Sequence, residues 1–381
     1  SALQASALIK FAAERTIPVV PCGSGTSQGI GHPPPAGALW LSSRRLNSGF
    51  HHDPPDMVAT APAGMEFGAF QEALGQNGQW LPLDGNPRAT CGGLVATDSS
   101  GPRALGYGTF RDMVLGMTVI NGDGVIRKCG GKVVKNVTGY ALEKLYIGSL
   151  GTLGLIVEVT FKLRPLPLAR RAWTLDAQNF RDGVAKLHAL PALNLPLEAL
   201  ICNAVLSPQG PVGLIVIVSA TGNAAELERI DRELAAALAP AGVKSAERRV
   251  AWDDGAVEQR TKAGGTPALP DAGGTPAVQL RFWCASAQME AALEQVRSAA
   301  TAGHVSFGTN WGVAELSLSE EQAARISAGL AQLGANFRWE DARGLKIALP
   351  FGPPRPEWAL MKQLKAALDP KNIMNPGRFV V

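Results

Sequence analysis

Clustered cysteines, long apolar runs and blocks of like charge are all missing from this sequence. The longest apolar stretch, residues 212–218, has the length of a strand, whereas a membrane-spanning helix needs roughly 20 residues. The formal net charge is only +4, and no basic stripe is interleaved with aromatics, so we expect neither a transmembrane segment nor a nucleic-acid partner. The five cysteines form no CxxC pair, which argues against a disulfide framework, a zinc site and an iron–sulfur cluster: Cys22, Cys91, Cys129, Cys202 and Cys284.

The N-terminus carries no recognisable targeting signal. Its first residues, SALQASALIK, lack the basic region and the long apolar segment of a secretory signal. The sequence begins without Met, which suggests trimming or truncation. We therefore expect a cytoplasmic protein, and any attachment to the inner membrane would be peripheral and made through partners.

Length and composition indicate a folded protein with more than one core. A chain of 381 residues is too long for one ordinary core, and 43 Gly with 27 Pro predict many tight turns. Glycine-bearing turns dominate the first part of the chain, and amphipathic helices alternate with strands in the second. We predict an α+β protein with a cofactor-binding lobe at residues 1–165, a cap lobe at 166–349, and a C-terminal segment at 350–381 that returns to the first lobe.

Short β-type runs predict strands in both lobes. The first-lobe runs are residues 17–20, 57–61, 113–121 and 155–163, and the cap runs are 200–206, 212–218, 278–284, 313–318 and 335–340. Apolar residues at helical spacing predict cap helices at 227–238 and 289–300, and Ser319 with Gln322 forms a capping box for a third, which Gly334 should end. We expect an antiparallel cap sheet covered by helices on one face.

The cap also contains a short repeat. Residues 263–269 (AGGTPAL) recur almost unchanged as residues 272–278 (AGGTPAV). Two copies of such a Gly/Pro-rich segment cannot bury a core, so we predict a mobile loop insertion at 261–277 and not a solenoid.

Three glycine-rich segments of the first lobe could approach a large ligand closely. The first, PCGSGTS at 21–27, offers successive backbone N–H groups, as a phosphate-binding nest requires, although taken alone it could equally be an ordinary glycine turn. The second, residues 89–101, places paired glycines and small hydroxyl residues beside a flat ligand, and its alternative is a β-hairpin with a bulge. The third, GSLGTLGLI at 148–156, leads directly into a strand. Three such loops in one lobe indicate a common binding site.

In this order, the segments resemble the FAD-binding domain of the vanillyl-alcohol oxidase family, also called PCMH-type. The likeness continues through KNVTGY at 135–140 and DPKNIMNPGR at 369–378. It covers most of residues 1–165 and 345–381, while the cap is only loosely similar. Within the family, the sequence is most similar to the FAD-binding E subunits of bacterial glycolate oxidase. The resemblance implies a two-lobe PCMH-type fold with an α+β cap, and FAD as the cofactor.

The resemblance also implies a role for each loop. The first would hold the FAD pyrophosphate, the second would run along the ribityl and isoalloxazine part, and the third would line the adenosine end. Asn375 and Arg378 would lie near the pyrimidine edge, where a cation favours the anionic reduced flavin, or they could be turn and surface residues. The implied cofactor-binding residues are Pro21, Cys22, Gly23, Ser24, Gly25, Thr26, Ser27, Thr90, Gly92, Gly93, Thr97, Ser99, Ser100, Gly101, Gly148, Gly151, Thr152, Gly154, Ile156 and Asn375, and the flavin-edge candidates for catalysis are Asn375 and Arg378.

Two departures from the family pattern affect these expectations. Some relatives attach FAD covalently through a His in the first loop, where this chain has Ser24 and Thr26, so the flavin should be non-covalent. Relatives that oxidise 2-hydroxy acids independently often carry a His-rich metal motif in the cap, which the lone His304 does not reproduce. We therefore expect no bound metal, and the completeness of the substrate site stays open.

By resemblance, the sequence predicts the FAD-binding subunit of a glycolate oxidase or dehydrogenase complex that oxidises a small 2-hydroxy acid, glycolate to glyoxylate. The implied partners are a homologous FAD subunit and an iron–sulfur subunit, because this sequence has neither clustered cysteines nor a membrane segment to carry electrons onward. Two alternatives stay open. One is a self-sufficient FAD-dependent dehydrogenase of D-lactate or another 2-hydroxy acid, and the other is a subunit that binds FAD for structure or electron relay without its own substrate site.

Overall fold

A computed structural model describes residues 1–132, 140–207, 210–238, 277–300, 302–341 and 345–379 of the chain. Residues 261–276 of the predicted insertion and residues 135–139 of the KNVTGY motif lie outside these ranges. The described part combines helices with mainly antiparallel sheets, which confirms the predicted α+β class. None of its helices has both the length and the apolarity that crossing a membrane requires.

The N-terminal half is built from short strands separated by loops and short helices. Its strands are β1 (Val19–Cys22), β2 (Leu39–Ser42), β3 (His51–Asp53), β4 (Val58–Pro62), β5 (Gln79–Trp80), β6 (Val114–Ile120), β7 (Ile126–Gly130), β8 (Leu155–Lys162) and β9 (Arg164–Pro165). Its helices are α1 (Ala2–Glu14), α2 (Phe67–Gly75), α3 (Cys91–Thr97), α4 (Ala104–Tyr107), α5 (Phe110–Met113) and α6 (Glu143–Tyr146). The four strands predicted for this half are confirmed as β1, β4, β6 and β8.

A five-stranded antiparallel sheet, in the order β3-β4-β8-β6-β7, forms the centre of this half. Phe161 of β8 is fully buried, with its ring centroid 5.6 Å from that of Phe70 in α2 and 6.5 Å from that of Phe110 in α5. A separate apolar cluster joins Ile9 of α1 to Leu155, the first residue of β8. Burial of these large side chains stabilises the strands to which the glycine loops are connected.

The cap is a larger, separate sheet with its own helices. Its strands are β10 (Ala169–Ala177), β11 (Leu197–Ser207), β12 (Gly210–Gly222), β13 (Ala277–Trp283), β14 (Ala302–Phe307), β15 (Trp311–Ser317) and β16 (Asn336–Asp341). Its helices are α7 (Phe180–Ala189), α8 (Ala224–Leu238), α9 (Met289–Ala299) and α10 (Glu320–Gln332).

All seven described cap strands belong to one antiparallel sheet, in the order β10-β12-β11-β14-β15-β13-β16. Alternate residues of each strand face the helices, so that Val216 and Val218 of β12 share one buried core with Ile230 of α8. This confirms the prediction of a cap sheet covered by helices on one face. The β-type pattern does not indicate β10 or β14, because arginines in the first and small residues in the second interrupt the apolar alternation.

The predicted helix signals of the cap are also confirmed. The Ser319 side chain accepts a hydrogen bond from Gln322 N at 3.3 Å and starts α10 with a complete capping box. Gly334, with φ at +66°, follows the end of this helix. Local sequence chemistry therefore sets both ends of α10.

The second face of the cap sheet is turned toward the N-terminal half. Directly paired residues on this face, across β11, β14, β15, β13 and β16, are Asn203, Ser306, Val313, Arg281 and Arg338. At the other end of the sheet, the Tyr107 hydroxyl of α4 lies 3.1 Å from Thr221 Oγ1 of β12. A polar surface thus runs between the two halves.

A charge cluster strengthens this junction. The Nε atom of Arg103 lies 3.1 Å from Glu198 Oε1 of β11, and its Nη1 atom lies 3.5 Å from Asp84 Oδ1. The guanidinium of Arg170 in β10 lies 4.1 Å from the Trp80 ring centroid. Arginines of both halves therefore meet at the same interface.

The last described helix, α11 (Glu357–Leu368), ends in a buried ion pair. The Lys365 ammonium donates to Asp369 Oδ2 at 2.5 Å, to Thr152 O at 2.7 Å and to Met374 O at 2.7 Å. The Asp369 carboxylate also accepts from the backbone N–H groups of Ile373 and Met374. These bonds hold the C-terminal turn against the third glycine loop.

Replacing Asp369 by Ala should lower the free energy of unfolding by about 3–5 kcal/mol, because the buried Lys365 ammonium then has no counter-charge. The matched control is Asp123→Ala, which removes an exposed pair with Arg127 at the same i, i+4 spacing. The control should cost about 0–1 kcal/mol. Urea unfolding of both variants measures the difference, and equal losses would contradict the structural weight given to the buried pair.

Candidate functional site

The three glycine loops and the C-terminal turn border one groove on the N-terminal half. The groove contains about 700 Å³ of space, part of it open solvent. Most of the predicted cofactor-binding residues line it, together with the flavin-edge candidate Arg378: Pro21, Cys22, Gly23, Ser24, Gly25, Thr26, Ser27, Thr90, Gly92, Gly93, Thr97, Gly151, Gly154, Ile156 and Asn375. Segments far apart in the sequence therefore meet at a single site.

Five further residues complete the lining and are not among the predicted ones: Gln28, Ser43, Ala96, Leu150 and Leu155. All except Ser43 directly neighbour a predicted residue in the sequence, and this adjacency is the signal that could have found them. Ser43 follows β2, which pairs with β1 in parallel, and the sequence pattern gives no sign of that pairing.

Five predicted residues do not line the groove: Ser99, Ser100, Gly101, Gly148 and Thr152. They bond to protein groups instead. For example, Thr152 Oγ1 donates to Ser149 O at 2.7 Å, and Ser100 Oγ accepts from Phe110 N at 3.2 Å. They support the loops, and their direct contact with the cofactor remains a prediction.

The first loop leaves β1 with its backbone open to the groove. Gly25 has φ at +80°, and a Cβ atom there would meet no other atom within 4 Å. At Gly23, by contrast, a Cβ atom would lie 2.2 Å from Thr90 Oγ1. The first and second loops therefore touch at Gly23, while Gly25 faces free space.

The second loop is a helix start, so the alternative of a β-hairpin is wrong. Thr90 is the N-cap of α3, and its Oγ1 accepts from Gly93 N at 3.2 Å. Glycines in the first turn give this segment low intrinsic helix propensity, which hid the helix from the sequence pattern. A Cβ atom at Gly92 would lie 2.7 Å from the Ala63 Cβ atom, so close packing against the sheet requires glycine here.

The third loop and the C-terminal turn lock together. Asn375 has a left-handed backbone with φ at +43°, and its N–H donates to Val19 O of β1 at 2.7 Å. Its Nδ2 atom donates to Leu150 O, also at 2.7 Å. Leu150 itself has φ at +54°, so two strained residues, both in the lining, meet at the groove.

Arg378 places a buried positive charge beside the groove. It is only 4% exposed, its Nη1 donates to His32 O at 3.0 Å, and its Nη2 donates to Gln28 O. Burial lowers the pKa of Arg378, and among the described residues no carboxylate forms an ion pair with it. Arg378 is therefore not a surface residue, and its charge remains available to a ligand.

The cap contributes two more arginines next to the second loop. Arg338 donates from Nη1 to Thr97 O at 3.0 Å, and Arg281 donates from Nη1 to Ser100 O at 3.1 Å. Both guanidinium groups also bind Glu340, with Nε to Oε1 distances of 2.8 Å. Burial alone would raise the pKa of Glu340, but the two arginines hold it below its ordinary value. Sequence reasoning missed this pair, since it depends on the register of β13 and β16.

Two known protein families match segments of the chain that border this groove. Residues 1–130 match the family described as FAD binding domain, and residues 353–379 match the C-terminal domain of FAD-linked oxidases. The two matches include the first two loops and the C-terminal turn. The chain therefore contains an FAD-binding domain and is an FAD-dependent oxidoreductase.

Individual relatives of the chain include a named dehydrogenase and named oxidase subunits. The chain is 29% identical to a D-lactate dehydrogenase of Archaeoglobus fulgidus over 404 residues, which cover 99% of this chain and 89% of that protein. It is 28% identical to glycolate oxidase subunit GlcD of Bacillus subtilis, over 98% of this chain and 86% of the relative. It is 37% identical to glycolate oxidase subunit GlcE of Escherichia coli, but over only 47% of this chain and 52% of that subunit. A solved alkyldihydroxyacetonephosphate synthase has a similar fold, with a TM-score of 0.70 at 15% identity over 98% of this chain and 74% of that one.

The groove residues fit FAD on two observations. Ser24 Oγ and Asn375 Oδ1 are buried without a hydrogen-bond partner in the described part of the chain. A hydroxyl can donate to a phosphate oxygen and an amide oxygen can accept from a ring N–H, so FAD offers suitable partners to both. The open space at Gly25 leaves room for a ligand against the backbone. When bound, FAD supplies the redox chemistry, and the protein holds and orients it.

Changing Gly25 to Ala should weaken FAD binding roughly tenfold, or about 1.4 kcal/mol, because the added methyl group occupies groove space. The matched control is Gly37→Ala, which has a similar φ of +77° and equally open surroundings but lies outside the lining. The control should keep its FAD affinity and share only the backbone strain. Titration by flavin fluorescence, with acid-released FAD as the measure of loading, tests both variants. Equal affinities would contradict the role given to the first loop.

Proposed function

We propose that this chain is the FAD-binding subunit of a glycolate oxidase or dehydrogenase complex and oxidises a small 2-hydroxy acid, glycolate to glyoxylate, through non-covalent FAD. The observation that carries the proposal is the arginine pair of the cap. Arg281 and Arg338 share one carboxylate, Glu340, so the group has one positive charge more than it balances internally. Such a group suits the carboxylate of a 2-hydroxy acid.

The position of this pair supports the proposal as much as its charge. Arg338 binds the carbonyl oxygen of Thr97, which lines the FAD groove. Each guanidinium group has five N–H donors, and the recorded bonds of Arg281 use three of its nitrogens once each. Donors therefore remain for a substrate carboxylate held between the cap sheet and the groove.

Non-covalent attachment is supported by the composition of the groove. No histidine is among the residues that line it in the described part of the chain, and the first loop offers Ser24 and Thr26. His32, the nearest histidine in sequence, borders a second cavity on the other side of Arg378.

A subunit role is supported by the histidines of the cap. In the whole sequence, residues 166–349 contain only His188 and His304. His304 lies on β14, where its neighbour across the sheet is Glu315, and no cluster of three metal-binding side chains occurs among the described residues. The proposed partners are a homologous FAD subunit and an iron–sulfur subunit, and the match to GlcD and GlcE subunits is consistent with such an assembly.

A self-sufficient D-lactate dehydrogenase is the second candidate. It is favoured by the likeness to a D-lactate dehydrogenase over 99% of this chain. Both candidates use the same groove and the same arginine pair, and they differ in whether electrons leave through partner subunits.

Arg281→Ala should weaken the response to substrate without loss of the cofactor. We expect glycolate to reduce the flavin of the FAD-loaded chain in a single anaerobic turnover, and the variant should need at least about tenfold more glycolate, consistent with losing a charge-assisted hydrogen bond. The control is Arg325→Ala, an exposed arginine of α10, which should behave like the unmodified chain. If Arg281→Ala responds to glycolate as the control does, the carboxylate site is elsewhere.

The subunit role has a separate test. Steady-state oxidation of glycolate with an artificial acceptor should be slow for the FAD-loaded chain alone and should rise at least about tenfold when the two partner subunits are added, because the buried flavin then has a path for its electrons. Rapid turnover by the lone chain, with no gain from partners, would instead support the self-sufficient dehydrogenase. D-lactate is measured in parallel.

A further inference from the structure

Along the chain, an aspartate lies between the two residues of the second loop that the cap arginines bind. Arg338 binds the carbonyl of Thr97 and Arg281 binds the carbonyl of Ser100, and Asp98 lies between these residues in the chain. Asp98 ends α3 in a left-handed conformation, with φ at 46° and ψ at 49°. Few residues other than glycine adopt this conformation, and Asp and Asn tolerate it best.

One oxygen of the Asp98 carboxylate makes no hydrogen bond within the described part of the chain. This atom, Oδ1, is buried. Glu340, the other carboxylate at this junction, has both oxygens bonded to the arginines. An unused buried carboxylate oxygen costs stability, and a strained backbone at the same residue is typical of functional positions.

The proposed oxidation requires a base at this place. When a 2-hydroxy acid becomes a 2-oxo acid, the hydroxyl group loses a proton and the adjacent carbon loses a hydride equivalent, so that the C–O bond becomes C=O. FAD is the two-electron oxidant, and the proton needs a separate acceptor. The hydroxyl-bearing carbon is bonded directly to the carboxylate carbon, so a carboxylate held by Arg281 and Arg338 brings the hydroxyl close to the loop that carries Asp98.

We infer that Asp98 is the catalytic base that takes the hydroxyl proton of the substrate. This inference rests on the proposed function and adds to it a proton acceptor, a role that the arginine pair does not fill.

The electrostatics around Asp98 agree with this role. Burial raises the pKa of Asp98, and Arg338, Arg111 and Arg281 oppose the rise, while Asp112 adds to it. A carboxylate whose pKa lies above its ordinary value is a better proton acceptor than a free one, and its arginine neighbours still allow it to ionise.

The test is Asp98→Asn, because Asn keeps the left-handed backbone and a similar shape. In the FAD-loaded chain, glycolate should reduce the flavin at least about 100-fold more slowly, as expected for loss of a general base. The unmodified chain should be reduced faster as pH rises through the pKa of Asp98, and the variant should lose this dependence. The control is Asp176→Asn, an exposed carboxylate of β10 that is not among the groups acting on the pKa of Asp98, and it should retain both rate and pH profile.

Two readouts do not depend on turnover. Oxalate should perturb the flavin absorption spectrum of Asp98→Asn at the same concentration as in the unmodified chain or at a lower one, because the arginines are intact and a neighbouring negative charge is removed. Thermal stability gives the second. The raised pKa makes the Asp98 contribution to stability fall as pH increases from its unfolded value of about 3.9 through its folded value. Asp98→Asn should therefore melt at the same temperature as the unmodified chain or higher at pH 7, and the difference should vanish in acid.

Each outcome decides the question. Unchanged flavin reduction in Asp98→Asn would overturn the inference and leave the proposed function intact. A lower melting temperature at pH 7 or loss of FAD, repeated in Asp98→Gly, would assign Asp98 a purely structural role. If no 2-hydroxy acid reduces the flavin of the unmodified chain although oxalate binds, the proposed function fails first, and the inference fails with it.

Discussion

The buried Lys365 ammonium joins three of the segments that border the groove or support it. The three N–H donors of Lys365 bind oxygens from the third glycine loop, from the end of α11 and from the segment that pairs with β1. Removing a lysine from water is unfavourable unless every donor is satisfied, and here each donor has a partner. Asn375 and Arg378 follow directly, so their positions in the groove depend on this contact. The third glycine loop and the C-terminal turn, which the whole cap separates in the sequence, are thereby joined into one site.

Three further arginines at the site have between them a single glutamate as ion-pair partner within the described part of the chain. Arg378 binds carbonyl oxygens and no carboxylate in the described part of the chain, and the cap arginines share a single glutamate. Folding thus places arginine side chains near a groove where the phosphates of bound FAD would bring negative charge. In a partly buried setting such charges interact more strongly than they would at the surface, so ligand selection by charge is built into the fold before any ligand arrives.

The sequence predicts the groove better than it predicts the cap face. Glycine loops such as residues 21–27 can be recognised because close approach of the backbone restricts residue type locally. The start of helix α10 can likewise be predicted from the capping box of Ser319 and Gln322. Helix α3 cannot be predicted from its sequence, because its glycines have low helix propensity and packing against Ala63 overrides that preference. Arg281 and Arg338 become a pair only through strand register, which is a property of the whole sheet and cannot be predicted from either arginine's neighbours.

The contacts of the cap arginines with the second loop have a mechanical consequence. Thr97 and Ser100 present their carbonyl oxygens at the C-terminal end of α3, where the helix dipole favours a cation, and both cations come from the cap. The first turn of the same helix lines the groove through Gly92 and Gly93. A movement of the cap sheet would therefore act, through these two hydrogen bonds, on the helix whose first turn lines the groove.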